Sequence, residues 1–299
     1  MDALSSVFAV GGRMERGGYF MQLGIRLHDI APGTLEERLV IAEQQGFACG
    51  HLALTKVLRD YPGNQALTPG FAMHLRRLFA AHHLDVAVLG NYKNLANPDA
   101  AQLAEIQRGY YEHIRFAALL GAGVVGTETG APNTGYVEDT PESKTEAALG
   151  MFIRNLRPVV VCAEQFGVIV AIEPVCRHIV YDSQRALAVL RAIDSPNLQI
   201  ILDPVNLLGP HNVDVRQAVI RQAIADLGDY VAVVHLKDFQ RGANGKLVSV
   251  ACGQGEMDYT DILRFIKERK PYIHATLENT TPDNAVATRQ LIQQQYDAL

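Results

Sequence analysis

Two periodicities take turns along the chain, and this alternation restricts the fold more than any other feature of the sequence. Short apolar runs typical of buried strands are each followed by a segment with apolar residues at helical spacing. The pattern repeats eight times. The predicted strands cover about 22–27, 50–54, 85–89, 124–127, 168–172, 199–202, 231–236 and 272–277, and the predicted helices cover about 35–45, 69–82, 98–120, 141–166, 183–193, 213–227, 259–268 and 282–296.

Strict alternation of strands and helices is typical of a parallel sheet covered by helices. The fifth, sixth and seventh strands are almost continuous apolar runs, as expected for strands buried on both faces. Eight such units in about 280 residues predict a closed (β/α)8 TIM barrel, a single α/β domain over residues 21–299. An open doubly wound sheet would need a glycine-rich turn after the first strand, and residues 27–30 contain no glycine.

The segment before the first predicted strand does not share the alternating pattern. Its short apolar run is broken by four glycines and lacks a preceding Lys or Arg. We therefore expect residues 1–20 to form a weakly structured extension, and Met21 is an alternative start of the protein.

Composition restricts the classes of partner. The chain has 27 Lys and Arg against 32 Asp and Glu, and this mild negative balance argues against a nucleic acid or an anionic membrane as partner. It contains no run of about 18 apolar residues that would span a bilayer. The four cysteines show no C-x-x-C spacing and are interpreted as reduced thiols of a cytoplasmic protein. A homo-oligomer is left open.

Four polar residues stand at the carboxyl ends of the last four predicted strands. They are Glu173, Asp203, His235 and Glu278. In a barrel these ends surround one mouth, where the loops build the active site. Three carboxylates and an imidazole at close range must bind protons or a cation. The oxygen-rich set favours one divalent ion, Mn²⁺ first, with Mg²⁺, Co²⁺ or Zn²⁺ as alternatives.

Several segments together resemble the xylose isomerase-like TIM-barrel family, the sugar phosphate isomerase/epimerase group. The matching segments, within about residues 21–295, are Ile-Glu-Pro at 172–174, Leu-Asp-Pro-Val-Asn at 202–206, His-Leu-Lys-Asp-Phe at 235–239, Gly-Gln-Gly-Glu-Met-Asp-Tyr at 253–259 and Leu-Glu-Asn at 277–279. The resemblance implies that Glu173, Asp203, His235 and Glu278 hold one divalent metal.

The resemblance also implies an acid–base role for two of these ligands and two contacts with substrate. In the epimerase branch the two glutamates, Glu173 and Glu278, double as acid and base. Many ketose epimerases carry a His where this chain has Asn206, which can bind a sugar hydroxyl but cannot carry a proton at neutral pH. Related epimerases often carry a substrate-binding Arg at the position of Arg241.

The same residues suggest a reaction on a small carbohydrate. A metal that chelates a carbonyl and the adjacent hydroxyl acidifies the neighbouring C–H and stabilises an enediolate. Glu173 and Glu278 then form the predicted proton-transfer pair. Glu128, His178 and Lys237 are further candidates for substrate binding, whereas His28 and His51 are interpreted as structural.

Three other functions share parts of this pattern. A metal-dependent lyase or dehydratase on a keto-sugar or keto-inositol begins with the same proton abstraction. An abasic-site endonuclease would require more histidines at the mouth and cationic phosphate contacts. A non-catalytic sugar-binding barrel would bind without turnover. The expected function is a metal-dependent sugar or sugar-phosphate isomerase or epimerase.

Overall fold

Eight parallel strands close into a barrel in the computed structural model, which describes residues 20–243 and 245–299. The predicted weakly structured extension, residues 1–20, lies outside the described residues except for residue 20. The ten strands of the described residues are β1 (Gln22–Arg26), β2 (Cys49–Leu52), β3 (Asp85–Gly90), β4 (Val124–Glu128), β5 (Ile169–Glu173), β6 (Leu198–Leu202), β7 (Val231–Leu236), β8 (Asp238–Arg241), β9 (Leu247–Val250) and β10 (His274–Leu277). The barrel order is β1-β10-β7-β6-β5-β4-β3-β2, so the predicted (β/α)8 fold is confirmed.

The helices lie outside the barrel and follow its strands. They are α1 (Leu35–Gln44), α2 (Leu54–Val57), α3 (Pro69–Ala81), α4 (Ala100–Leu120), α5 (Glu146–Phe166), α6 (Ser183–Ile193), α7 (Arg216–Leu227), α8 (Thr260–Arg269) and α9 (Ala285–Ala298). Helix α1 begins with a capping box, in which the Thr34 side chain accepts from the N–H of Glu37 and the Glu37 carboxylate accepts from the N–H of Thr34.

Side-chain alternation along the barrel strands separates an outer from an inner apolar cluster. The larger cluster fills the space between the barrel and its helices. A small separate cluster contains Val88, Ala171, Ile201 and Val233, and we assign it to the interior of the barrel. Because a strand turns every second side chain to the same face, the residues two positions beyond Ala171, Ile201 and Val233 also face inward. The interior packing therefore places the polar residues at the strand ends over the mouth.

The main departure from the predicted elements is an antiparallel hairpin at the barrel mouth. Strands β8 and β9 pair between Asp238–Arg241 and Leu247–Val250, a stretch in which no strand was predicted. Two predicted helices also begin with a separate 3-10 turn, at Pro141–Lys144 before α5 and at Val213–Val215 before α7. The hairpin extends the rim between β7 and α8 on the side where the predicted site lies.

Two expectations from composition can be compared with the structure. None of the helices in the described part of the chain has both the length and the apolar character needed to cross a membrane. All four cysteines are free, and Cys49 and Cys252 are buried. Burial raises the pKa of both buried thiols, so they remain protonated.

Candidate metal centre

The four predicted ligands meet inside the barrel mouth. Glu173 is the last residue of β5, His235 lies near the end of β7, and Asp203 and Glu278 directly follow β6 and β10. All four side chains are buried, with at most 5% of each residue exposed. The inward face of each strand end therefore carries a polar group where the apolar interior stops.

The imidazole of His235 lies between the two glutamates. Its Nδ1 atom is 3.3 Å from Oε1 of Glu173 and 3.3 Å from Oε1 of Glu278. One donor atom from each of Glu173, Asp203 and His235 falls within 4.8 Å of the others, as do donor atoms of His51, His235 and Glu278. His235 belongs to both groups, so the two sets describe one continuous cluster of possible ligands.

Lys237 balances part of the negative charge. Its Nζ atom is 2.8 Å from Oδ2 of Asp203 and 3.2 Å from Oε2 of Glu278. Burial disfavours the charged ammonium, but the carboxylates of Asp203 and Glu278 outweigh it and raise the pKa of Lys237. For Glu278, burial favours the neutral acid, yet Lys237 and His235 lower its pKa. The site thus holds buried charges that are stable only as a compensated group.

The donor set fits a divalent cation. Burial lowers the pKa of His235, but Glu173 and Glu278 raise it to about 9, so the two carboxylates favour a positive charge at this position. Oδ1 of Asp203 accepts the N–H groups of Val205 and Asn206, whereas Oδ2 is turned toward the buried cluster. Three carboxylates and one imidazole match the ligands preferred by Mn²⁺ and similar ions.

His51 belongs to the cluster, although its sequence position suggested a structural role. Its ring stacks on that of His235, with centroids 5.2 Å apart, and its Nδ1 is 4.0 Å from Oε1 of Glu278. Its Nε2 is 3.0 Å from the hydroxyl oxygen of Tyr92. Burial, reinforced by His235, holds the pKa of His51 well below its usual value. Nδ1 of His51 has no hydrogen-bond partner among the described residues and lies beside the cluster of possible ligands.

A cavity of about 940 Å³ opens above the cluster. Glu173 and Glu278 line it, together with Glu128, Asn206 and Lys237 from the predicted substrate-binding set. The Asn206 amide donates to Oε1 of Glu173 over 2.6 Å, so it positions a predicted catalytic carboxylate. Three of the five predicted substrate contacts therefore face the same cavity as the cluster of possible ligands.

Glu128 and His178 lie on one side of this cavity. Burial raises the pKa of Glu128, whose Oε2 accepts the Tyr136 hydroxyl at 3.3 Å. His178 is buried and does not line the cavity. Its Nε2 is 3.3 Å from Oε1 of Glu138, and its ring packs 5.7 Å from that of Tyr136. The structure thus places His178 behind the cavity wall.

Arg241 is not brought to the cavity. It lies at the end of β8 and forms ion pairs with Asp214 at 2.8 Å and Glu256 at 3.1 Å. The intervening hairpin, absent from the predicted elements, turns this side chain to the outside, while Ser249 on β9 lines the cavity. Arg241 therefore forms ion pairs on the rim, away from the cavity lining where a substrate contact was expected.

The segment at 253–259, which contains two glycines, folds around the side chain of Asp238. Its carboxylate accepts four backbone N–H groups, with Oδ1 bound by Phe239 and Met257 and Oδ2 bound by Gly253 and Gly255. A Cβ atom on Gly255 would lie 2.0 Å from the carbonyl oxygen of Phe239, so this close approach requires glycine. The segment is a packed turn around a buried carboxylate.

A family profile described as xylose isomerase-like TIM barrel matches residues 40–296. A comparison with curated protein sequences returns no match. Among solved structures, 3-keto-D-glucoside 4-epimerase, YcjR, from E. coli superposes with a TM-score of 0.72 at 14% identity, covering 92% of this chain and 100% of that one. The IOLI protein with a bound zinc atom gives a TM-score of 0.72 at 19% identity, with 92% and 98% of the two chains covered.

A third similar structure comes from a protein described as a probable dehydratase. The probable 3-DHS dehydratase AsbF from Bacillus anthracis gives a TM-score of 0.67 at 14% identity, over 93% of this chain and 98% of that one. At these identities the structural likeness establishes a shared fold. The residues of this chain must carry any statement about its reaction.

Proposed function

The chain belongs to the xylose isomerase-like TIM-barrel family, and we propose on that basis that it is a divalent-metal-dependent sugar isomerase or epimerase. The substrate is a small carbohydrate, free or phosphorylated. The reaction is removal of a proton beside a carbonyl and its return to the same or the neighbouring carbon. The proposed metal ligands are Glu173, Asp203, His235 and Glu278.

One observation carries this proposal. Two carboxylates from β5 and β10, Glu173 and Glu278, flank Nδ1 of His235 at 3.3 Å each and line the same cavity. Two such groups on either side of one position can remove and return a proton on different faces of a bound carbon. A change of face inverts the carbon, and return to the adjacent carbon interconverts an aldose and a ketose.

The surrounding residues fix both proposed acid–base groups. The Asn206 amide holds Oε1 of Glu173, and Lys237 holds Oε2 of Glu278 with Arg26 3.6 Å from the same oxygen. These cations keep Glu278 ionised and therefore able to accept a proton. A divalent ion, Mn²⁺ first among the candidates, supplies Lewis acidity that stabilises the charge developing on the substrate oxygen.

A dehydratase is the second candidate because of Glu128. This third cavity carboxyl group has a raised pKa caused by burial. A raised pKa favours the protonated form, and a carboxylic acid beside a carbonyl substrate can donate its proton to a leaving hydroxyl group, which would complete an elimination instead of a proton return. The first proton abstraction by Glu173 or Glu278 is the same in both reactions.

The test is a panel of ketoses and keto-sugars in deuterium oxide with the protein loaded with Mn²⁺. We expect exchange of the carbon-bound hydrogen without loss of water, and chelation of the metal should stop it. Glu173→Gln and Glu278→Gln should each lower exchange at least about 100-fold at equal metal occupancy. Glu256→Gln, on the exposed rim, is the matched control and should retain exchange.

Three other results would argue against this proposal. An unsaturated product whose formation depends on Glu128 would favour the dehydratase. Sugar binding without turnover, unchanged in both glutamine variants, would favour a binding barrel. Undiminished exchange in both variants would contradict the proposed acid–base pair.

A further inference from the structure

The cavity is larger than the metal cluster requires, and its charged groups are unevenly distributed. Its volume of about 940 Å³ is near the upper end of the range for small-molecule sites. The acidic residues of its lining are Glu128, Glu173 and Glu278, which come from the ends of β4, β5 and β10. The segments after β2 and β3 line the part of the mouth between β4 and β1, and they contribute no carboxylate to the described lining.

Two lysines in this acid-free part have no countercharge. Lys56 lies in α2 after β2, and Lys93 follows β3. Both line the cavity, and neither forms an ion pair with any residue in ranges 20–243 and 245–299. The other Lys and Arg residues of the lining form ion pairs: Arg26 with Asp29 and Glu278, Arg177 with Glu138, and Lys237 with Asp203 and Glu278. Because β2 and β3 are adjacent in the barrel, the two lysine-bearing connections are neighbours.

Buried donors without partners line the same part of the cavity. Asn91 is only 6% exposed, and its Nδ2 has no hydrogen-bond partner among the described residues. The hydroxyl of Tyr61 is likewise buried without a partner in this part of the chain. A buried donor left unpaired is costly, so such groups in a cavity wall indicate an acceptor supplied by a ligand.

We infer that the substrate carries an anionic oxygen group, a phosphate ester or a carboxylate, bound by Lys56 and Lys93 with Asn91 and Tyr61 as neutral donors. This inference rests on the proposed function, since it names the class of sugar that the same cavity accepts. Two ammonium groups and two donors without an acid among them suit an acceptor with several charged oxygens. Binding there would orient the sugar, because its anionic end would be held by connections that contribute no carboxylate to the described lining.

The binding test measures, by calorimetry, the binding of inorganic phosphate as a probe for phosphate esters and of acetate as a probe for carboxylates. The full chain is measured with Mn²⁺ and again after chelation, because an anion bound only to the metal is lost with it. We expect binding to persist after chelation. Lys56→Met with Lys93→Met should weaken it at least about 10-fold. Lys246→Met, on the exposed hairpin outside the cavity, is the control and should leave it unchanged.

The stronger-binding probe identifies phosphate ester or carboxylate as the source of the anion. The inference is overturned if neither probe binds the chelated protein, or if the double lysine variant binds them as tightly as the wild type does.

A second arm separates this inference from the proposed function. Among the ketoses tested for deuterium exchange, the double lysine variant should raise KM for anionic sugars about 10-fold or more and leave kcat nearly unchanged. Exchange restricted to neutral ketoses, with KM unaffected by the lysines, would overturn the inference while the proposed function stands. Lysine-dependent anion binding without exchange on any ketose would support the anion site and contradict the proposed function.

Discussion

The ring of His51 stacks on the ring of His235, with centroids 5.2 Å apart and planes inclined by 21°. The contact joins β2 to β7 across the interior of the barrel mouth. It restricts rotation of the His235 imidazole and so holds Nδ1 between Glu173 and Glu278. The positioning of the proposed metal ligand therefore depends on a residue from the first half of the chain.

Replacing His51 by Ala should weaken metal binding about 10- to 100-fold, the usual effect of removing a group that orients a ligand. Calorimetric titration with Mn²⁺ measures this change, with thermal unfolding as a check on the fold. Tyr92→Phe removes only the hydroxyl bonded to Nε2 of His51 and should have a smaller effect. Wild-type metal affinity in His51→Ala would show that the stacking does not position His235.

Gly90 leaves the space that His51 and Tyr92 occupy. A Cβ atom at this position would lie 2.7 Å from Nε2 of His51 and 2.6 Å from Cε2 of Tyr92. We expect Gly90→Ala to lower the free energy of unfolding by about 1–3 kcal/mol, as for other overpacked sites, and to weaken Mn²⁺ binding. Gly123→Ala is the control, because no heavy atom lies within 4 Å of its added carbon. Equal urea midpoints for the two variants would contradict this.

Asp238 should stabilise the rim through its four backbone contacts. Asp238→Asn keeps the shape but replaces one acceptor oxygen by an NH₂ group that faces the N–H donors of the turn. We expect the free energy of unfolding in urea to fall by about 3 kcal/mol. Asp258→Asn should change it by less than about 0.5 kcal/mol, since Asn also accepts the N–H of Thr260. A small effect at Asp238 would mean that the turn is held by other contacts.

His28 should make the metal-free protein sensitive to mild acid. Burial, reinforced by the charge of Arg26, lowers the pKa of this half-buried ring to about 4. The unfolded chain binds a proton below pH of about 6.5, but the folded protein does so only near its lowered pKa. Stability is therefore unaffected above pH of about 6.5 and falls as the pH drops toward 4.

The corresponding measurement is urea unfolding of the chelated protein across this pH range. His28→Gln should remove about 1–2 kcal/mol of the decline, less than the whole pKa shift implies because the ring is partly exposed. The exposed His74→Gln is the matched control. Identical pH dependence in wild type and His28→Gln would exclude His28 as a source of acid sensitivity.

The barrel could be predicted from sequence because its signals are local and repeated. Apolar strand runs and helix ends recur eight times, and α4 and α5 each end at a glycine, Gly121 and Gly167, in the left-handed region. The β8–β9 hairpin was missed because its strands have four residues each and are largely exposed, with Phe239 fully buried. Its place is set by the contacts of Asp238, also buried, with the backbone of residues 253–257, and such contacts have no local periodicity.

The site was predictable only where residues follow strand ends. Glu173, Asp203, His235 and Glu278 satisfy that rule and come together. Arg241 lies outside the cavity lining, because the position of a side chain after β7 depends on the undetected hairpin. His51 follows the same inward pattern on β2, but a single histidine in a strand carries no signal of the ring against which it packs. Its position opposite His235 becomes evident only in the closed barrel.

The most direct test of the account is anomalous diffraction from crystals of the protein loaded with Mn²⁺. The account predicts one strong peak within coordination distance of Glu173, Asp203, His235 and Glu278, lost in Asp203→Asn crystals grown at the same metal concentration. An empty cluster at full Mn²⁺ loading, with those four side chains still in contact, would contradict it.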